Sequence, residues 1–171
     1  MPNETPRTLV AFEDHPAFAS TGDAEYELTT NPFETVVSPV SDGDDEPTVA
    51  ATVRVPTLSA VVTNKRVAPV VEDGWFETLV LRLEDVGGVT QTATASVPDI
   101  TRTDDVVVVD LTLTSGRPDR LPDEVKAVFD AVEGTWVLGL IPGYEYADPA
   151  KSLLQRAEQD YDESGTGGPP L

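Results

Sequence analysis

The sequence predicts an α+β fold: a two-layer sandwich in which two long helices cover a mainly antiparallel five-stranded sheet, in the element order α-β-β-β-α-β-β-α. Three observations predict it. Apolar and polar side chains alternate over Thr48 to Val55 and again over Asp105 to Thr114, the pattern of strands with one buried face. Apolar residues recur at three- and four-residue steps from Pro69 to Val86 and from Pro122 onward, the period of helices with one buried stripe. A sheet and helices of this kind each need a partner for one face, and stacking one on the other supplies it.

Taken in order, Thr8 to Phe18 carries Leu9, Val10, Phe12 and Phe18 and reads as a short helix, with Pro16 in its way and Thr21-Gly22-Asp23 as its stop. Ala24 to Leu28 alternates apolar and acidic side chains and reads as the first strand. Asn31-Pro32 is a turn signal, Phe33 to Val40 the second strand, and Ser41 to Pro47 an acidic hairpin loop. The third strand, Thr48 to Val55, sets Val49, Ala51, Val53 and Val55 on one side and Thr52 and Arg54 on the other. After Pro56 the signal is mixed through Asn64.

The first long helix has the stripe Val71, Trp75, Phe76, Leu79, Val80, Leu83 and Val86. Its start is open between Pro69 at the first helical position and a cap within Glu72-Asp73-Gly74. Gly87-Gly88 is expected to end it with left-handed residues. Two strands follow, Thr90 to Pro98 and Asp105 to Thr114, the second with Val107, Val109, Leu111 and Leu113 facing the core. The second long helix begins near Pro122, where Asp123 and Glu124 complement the dipole, and buries Val125, Val128, Phe129, Val132 and Trp136. Gly134 and Gly139 weaken its later turns by up to about 1 kcal/mol each, and Pro142-Gly143 ends it. A short helix from Pro149 to Glu158 is capped by Asp148. Residues 1–161 are expected to form a single α+β domain, and 162–171 a disordered acidic Gly/Pro-rich tail. The element order resembles that of bacterial type III secretion chaperones, on topology alone and with no shared motif. That resemblance implies binding of other proteins or dimerisation.

Charge narrows the setting. There are 31 Asp and Glu against 11 Lys and Arg, a formal charge of -20 on 171 residues, and lysine occurs only at Lys65, Lys126 and Lys151. Such a density of like charge pushes a compact state apart at ordinary ionic strength, whereas in molar salt the Debye length falls to about 3 Å and the repulsion is screened. The chain therefore reads as halophilic, built for a salt-filled cytoplasm. The absence of cysteine removes disulfides, thiolate nucleophiles and thiolate metal sites. No stretch approaches the roughly 18 apolar residues that span a bilayer, and Met1 to Pro6 lacks a basic region followed by an apolar one, so a cytoplasmic location is expected. Nucleic acid is a poor partner, because phosphate binding needs a basic patch and Lys65-Arg66 is the densest cluster.

No motif rises to a catalytic or metal-binding signature. The single histidine, His15, sits in the turn-like Asp14-His15-Pro16 and is expected to be exposed. Asp42-Gly43-Asp44-Asp45-Glu46 offers oxygen ligands but lacks the spacing of a calcium loop. Gly87-Gly88 follows a helix and precedes no Gly-Lys, unlike a phosphate loop. Asp104-Asp105 is an adjacent pair whose members point to opposite faces on a strand. Trp75 and Trp136 read as core. Tyr144, Glu145 and Tyr146, just past a Pro-Gly break, are the candidate interaction surface, because tyrosine joins a large apolar face to a polar tip.

The runs Arg54-Val55-Pro56-Thr57-Leu58, Pro69 to Glu77 and Ile141 to Tyr146 are similar to those of a family of small uncharacterised haloarchaeal proteins, acidic throughout. The similarity covers most of the chain up to about Gln159. It implies a halophilic archaeal source and brings no activity, cofactor or catalytic residue. The expected function is a non-enzymatic cytoplasmic module for protein binding or self-association, with no cofactor. The alternative is a small enzyme or ligand sensor that uses carboxylates in a pocket, with a divalent cation.

Overall fold

The structure, a computed structural model, describes residues 6–41 and 46–165, with side chains for 6–40 and 46–159. Residues 1–5, most of the acidic hairpin loop and residues 166–171 of the expected tail lie outside it. The chain is α+β, with five helices and a seven-stranded sheet in place of five strands. The helices are α1 (Arg7–Asp14), α2 (Leu58–Val61), α3 (Pro69–Leu83), α4 (Leu121–Leu138) and α5 (Ala150–Gly165). The strands are β1 (Phe18–Gly22), β2 (Glu25–Leu28), β3 (Glu34–Ser41), β4 (Thr48–Pro56), β5 (Thr94–Ala95), β6 (Asp99–Thr103) and β7 (Val106–Thr114). The element order is thus α-β-β-β-β-α-α-β-β-β-α-α, which departs from the chaperone-like order expected.

All strand pairs are antiparallel. The meander β1-β2-β3-β4 continues into β7, and the free edge of β7 is taken first by β5 and then by β6. The centre is the pairing of β4 with β7, unbroken from Thr48 opposite Thr114 to Pro56 opposite Val106. Val49, Ala51, Val53 and Val55 of β4 and Val107, Val109, Leu111 and Leu113 of β7 are buried on one face, as the alternation predicts. The other face carries Thr52, Arg54, Asp110 and Thr112, with the Thr52 hydroxyl donating to Asp110.

Two strands were not expected, and one was misplaced. Helix α1 stops at Asp14, where the Ala17 N–H donates to Nδ1 of His15 at 3.1 Å, and Phe18 opens β1 instead of closing a helix. The predicted strand Thr90 to Pro98 shrinks to Thr94–Ala95 because the backbone before it bonds elsewhere. The N–H groups of Gln91, Thr92 and Ala93 all donate to the carboxylate of Glu124 at 2.7–2.9 Å. Glu124 is thus the one buried acid among the described residues, held by a fan of backbone donors at the start of α4.

The helix stripes follow the sequence closely. Val125, Val128, Phe129, Val132 and Trp136 of α4 have no exposed surface, and Trp75, Leu79 and Leu83 of α3 are buried beside them. Pro69 takes the first helical position of α3 and leaves Glu72-Asp73-Gly74 inside it; Glu72 accepts from the backbone and hydroxyl of Ser59 at 3.0 and 2.7 Å. Helix α3 ends at Leu83, and Val86–Val89 forms a separate single 3-10 turn. Gly87 is not left-handed. It is small because a Cβ there would lie 2.8 Å from the Cβ of Ala95 in β5. Helix α5 runs to Gly165, past the expected Glu158 and over the first four residues assigned to the tail.

Candidate functional site

Helices α3 and α4 meet along their buried stripes but do not close over one another, and a groove of about 410 Å³ remains between them. It follows α3 from Val70 to Arg82, about 18 Å of helix at 1.5 Å per residue. The wall on that side is Val71, Trp75 and Leu79; the opposite wall is the last turn of α4 and Ile141 just beyond it. Two rim residues, Val70 and Leu138, are 77% exposed each, the most exposed large apolar side chains of the described residues. Arg82, exposed at one end, is the groove's charged side chain and forms no ion pair among the described residues.

The floor holds an unusual donor. Trp75 is 5% exposed, and its indole Nε1–H finds no acceptor among the described residues. Leaving a buried donor unpaired costs about 1–3 kcal/mol. Trp136, also buried, shows the ordinary arrangement, donating to the carbonyl of Pro56 at 3.0 Å and meeting Phe33 edge-on at 5.1 Å. The Trp75 nitrogen faces Gly139, the residue capping α4: a Cβ built there would sit 3.6 Å from it. Glycine at 139 thus keeps that side of the indole nitrogen clear of a side chain, while the nitrogen itself is closed to solvent.

The expected contact segment lies close by, in a more structural role. Residues 144–147 run antiparallel to the segment after α2. Thr63 N–H donates to the Glu145 carbonyl at 2.8 Å, Glu145 N–H to Asn64 Oδ1 at 2.9 Å, and Ala147 N–H to the Val61 carbonyl at 2.8 Å. The Tyr146 hydroxyl accepts from Ile141 N–H at 2.8 Å and donates to its carbonyl at 2.7 Å, pinning the turn after α4. Burial pushes this hydroxyl above the usual tyrosine range, partly offset by its bond to Ile141, so it stays a donor. Tyr144 is half-buried against Tyr146 with Lys65 Nζ 5.9 Å from its ring centre, and Glu145 is exposed.

The remaining candidates scatter. His15 is not fully exposed: its side chain is 18% accessible, Nδ1 accepts from Ala17, and Nε2 lies 2.8 Å from Asp123, tying the end of α1 to the first turn of α4. Asp104 and Asp105 form the β6–β7 turn, with Asp104 at φ 47°, and are not strand neighbours as expected. Lys65, Arg66 and Arg102 share a second concavity of about 470 Å³ with Glu72, Asp73 and Asp104. Arg102 is committed there, 2.9 Å from Asp73 and 4.6 Å over the ring of Phe76. Among the described residues no group of three or more His, Cys, Asp or Glu stands ready to hold a metal ion, and no helix is long and apolar enough to cross a membrane.

Sequence reasoning saw Trp75 as core and Gly139 as a weak point in a helix. The first holds; the second does not, because α4 ends at Leu138, short of the expected Pro142-Gly143, and Gly139 caps it. The nearness of Gly139 to Trp75 is encoded in no local pattern. In comparisons with known proteins, the model of a family of unknown function matches residues 13–156. No curated protein and no solved structure matches the chain.

Proposed function

Because the chain belongs to DUF5813, a family of unknown function, we propose from its own geometry that it is a non-enzymatic binding module whose site is the groove between α3 and α4. One observation carries this reading: an apolar groove with exposed apolar rims is lined by a tryptophan whose buried indole donor, next to a glycine, has no partner among the described residues. Its volume falls within the roughly 300–1,000 Å³ of small-molecule sites, which join mostly apolar walls to a few placed polar groups. A site built on carboxylates and a divalent cation would need converging acids, whereas the charge at this groove is Arg82.

The setting proposed is a haloarchaeal cytoplasm, supported by the excess of 31 acids over 11 bases and by burial of Glu124 alone among the described acids. A two-layer arrangement, helices on one face of the sheet, is supported by the strict alternation of burial along β4 and β7. Capture of a protein partner or a second copy through Tyr144, Glu145 and Tyr146 is the second reading. It is supported by the half-buried ring of Tyr144 and the exposed Glu145, with the hydroxyl of Tyr146 already engaged.

The groove reading is tested by adding a neutral apolar probe, 1-octanol, to the protein in molar KCl and following the two tryptophan indole N–H resonances. Saturable movement of the Trp75 signal, reduced by Leu138→Asp, is the expected result.

A further inference from the structure

We propose that the ligand of the α3–α4 groove is a small anionic amphiphile: an apolar body of several carbons ending in a carboxylate or a similar oxygen-bearing anion. This assignment rests on the groove being the binding site and adds the chemistry of what fills it. Three features specify that chemistry. The walls, Val71, Leu79 and Ile141 with the rims Val70 and Leu138, are aliphatic, and each buried methylene contributes roughly 0.8 kcal/mol. The Trp75 Nε1–H is a donor only, so its partner must present an acceptor oxygen, and a ligand carrying one satisfies a group the fold leaves unpaired.

The sign of the charge comes from Arg82. Arg82 is the charged side chain of the groove's lining, and with no ion pair among the described residues it is available to an anion that enters. Arg82 and Trp75 line the same groove seven residues apart on α3, and helical side chains lean toward the amino terminus, which is the Trp75 end. Guanidinium also pairs with carboxylate in a planar, two-bond geometry. In molar salt, where screening acts beyond about 3 Å, such a direct contact survives while the diffuse repulsion from the acidic surface is suppressed. Selectivity for an anion by a chain of charge -20 is then a property of one contact and not of the overall field.

The test compares three eight-carbon probes, octanoate, 1-octanol and octylammonium, by titration calorimetry on the full chain in molar KCl at neutral pH. Octanoate is expected to bind about tenfold or more tighter than octanol, with octylammonium weakest. Arg82→Gln, an exposed site, should bring octanoate down to the level of octanol. Gly139→Ala is compatible with that residue's φ of -81° and should keep the melting temperature while weakening octanoate and octanol together, since its methyl covers the Trp75 donor. Octanol binding as tightly as octanoate, or octanoate affinity unmoved by Arg82→Gln, would overturn the anionic assignment and leave the groove reading intact. Failure of all three probes to bind would overturn both.

Discussion

Trp136 and Trp75 lie on neighbouring helices, both buried, and differ in that only the Trp136 indole finds a hydrogen-bond acceptor among the described residues. That difference has a measurable consequence. Trp136→Phe removes the donor from the Pro56 carbonyl at the end of β4 and should cost about 1–3 kcal/mol, because a buried acceptor is then left alone. Trp75→Phe loses the same ring volume but removes a donor that has no acceptor within the described residues, so it should cost less than Trp136→Phe. Denaturant unfolding of the two variants in molar KCl checks the contrast, and equal losses would mean that the Trp75 N–H is bonded in the native protein. Glu124 illustrates the opposite economy, with one carboxylate satisfying three consecutive backbone donors, and so fixing the loop that delivers β5.

At the scale of elements, α4 is the organiser: it buries a full stripe against the sheet, flanks the groove on one side and meets α5 on the other. Between α4 and α5, burial and then the nearby charge of Asp130 raise the carboxyl of Glu133 above its usual range, with Arg156 and Lys126 opposing. A raised carboxyl means the folded state holds the proton more tightly. Folding is therefore disfavoured as pH rises through the folded value, while below the ordinary glutamate value, about 4.3, both states are protonated and the effect vanishes. Glu133→Gln should accordingly raise the melting temperature at pH 7, by an amount that shrinks as the pH is lowered toward about 4. A gain independent of pH would show that packing and not charge is responsible.

The elements that could be read from sequence are those whose two faces differ. β4, β7, α3 and α4 each have one apolar face, and periodicity picks out their buried residues except at the start of α4, where Leu121, Pro122 and Glu124 are buried as well. β1 and β6 escaped because they lie near sheet edges and present little to the core: only Phe18 of β1 is buried, and Ile100 is the half-buried residue of β6. Thr90 to Ala93 looked like strand because its β-branched and small residues fit one, but the carboxylate of Glu124, 31–33 residues further on, captured its donors. Tyr144 and Tyr146 were visible as aromatic density. Their role in pinning a turn depends on Ile141 and on residues 61–64, which meet them only in the folded chain.

The molecule as a whole is an acidic shell around one continuous apolar core. Three ion pairs are present among the described residues, formed by Arg54, Arg102 and Lys126, far too few to balance 31 acids. Their worth at an exposed surface is about 0–1 kcal/mol each, so stability must come from the core and from screening of the shell. The melting temperature should therefore climb steeply from low to molar KCl and flatten once the Debye length is down to a few ångströms, about 3 Å. A flat profile would contradict the halophilic reading.

The most direct measurement of the central claim uses the fact that the chain has two tryptophans. In a 15N-labelled sample in molar KCl, each contributes one indole N–H signal. With 1-octanol or octanoate added, the Trp75 signal should move and saturate while that of Trp136, bonded to Pro56, stays in place. Two signals that move together, or neither moving, would contradict a binding groove between α3 and α4.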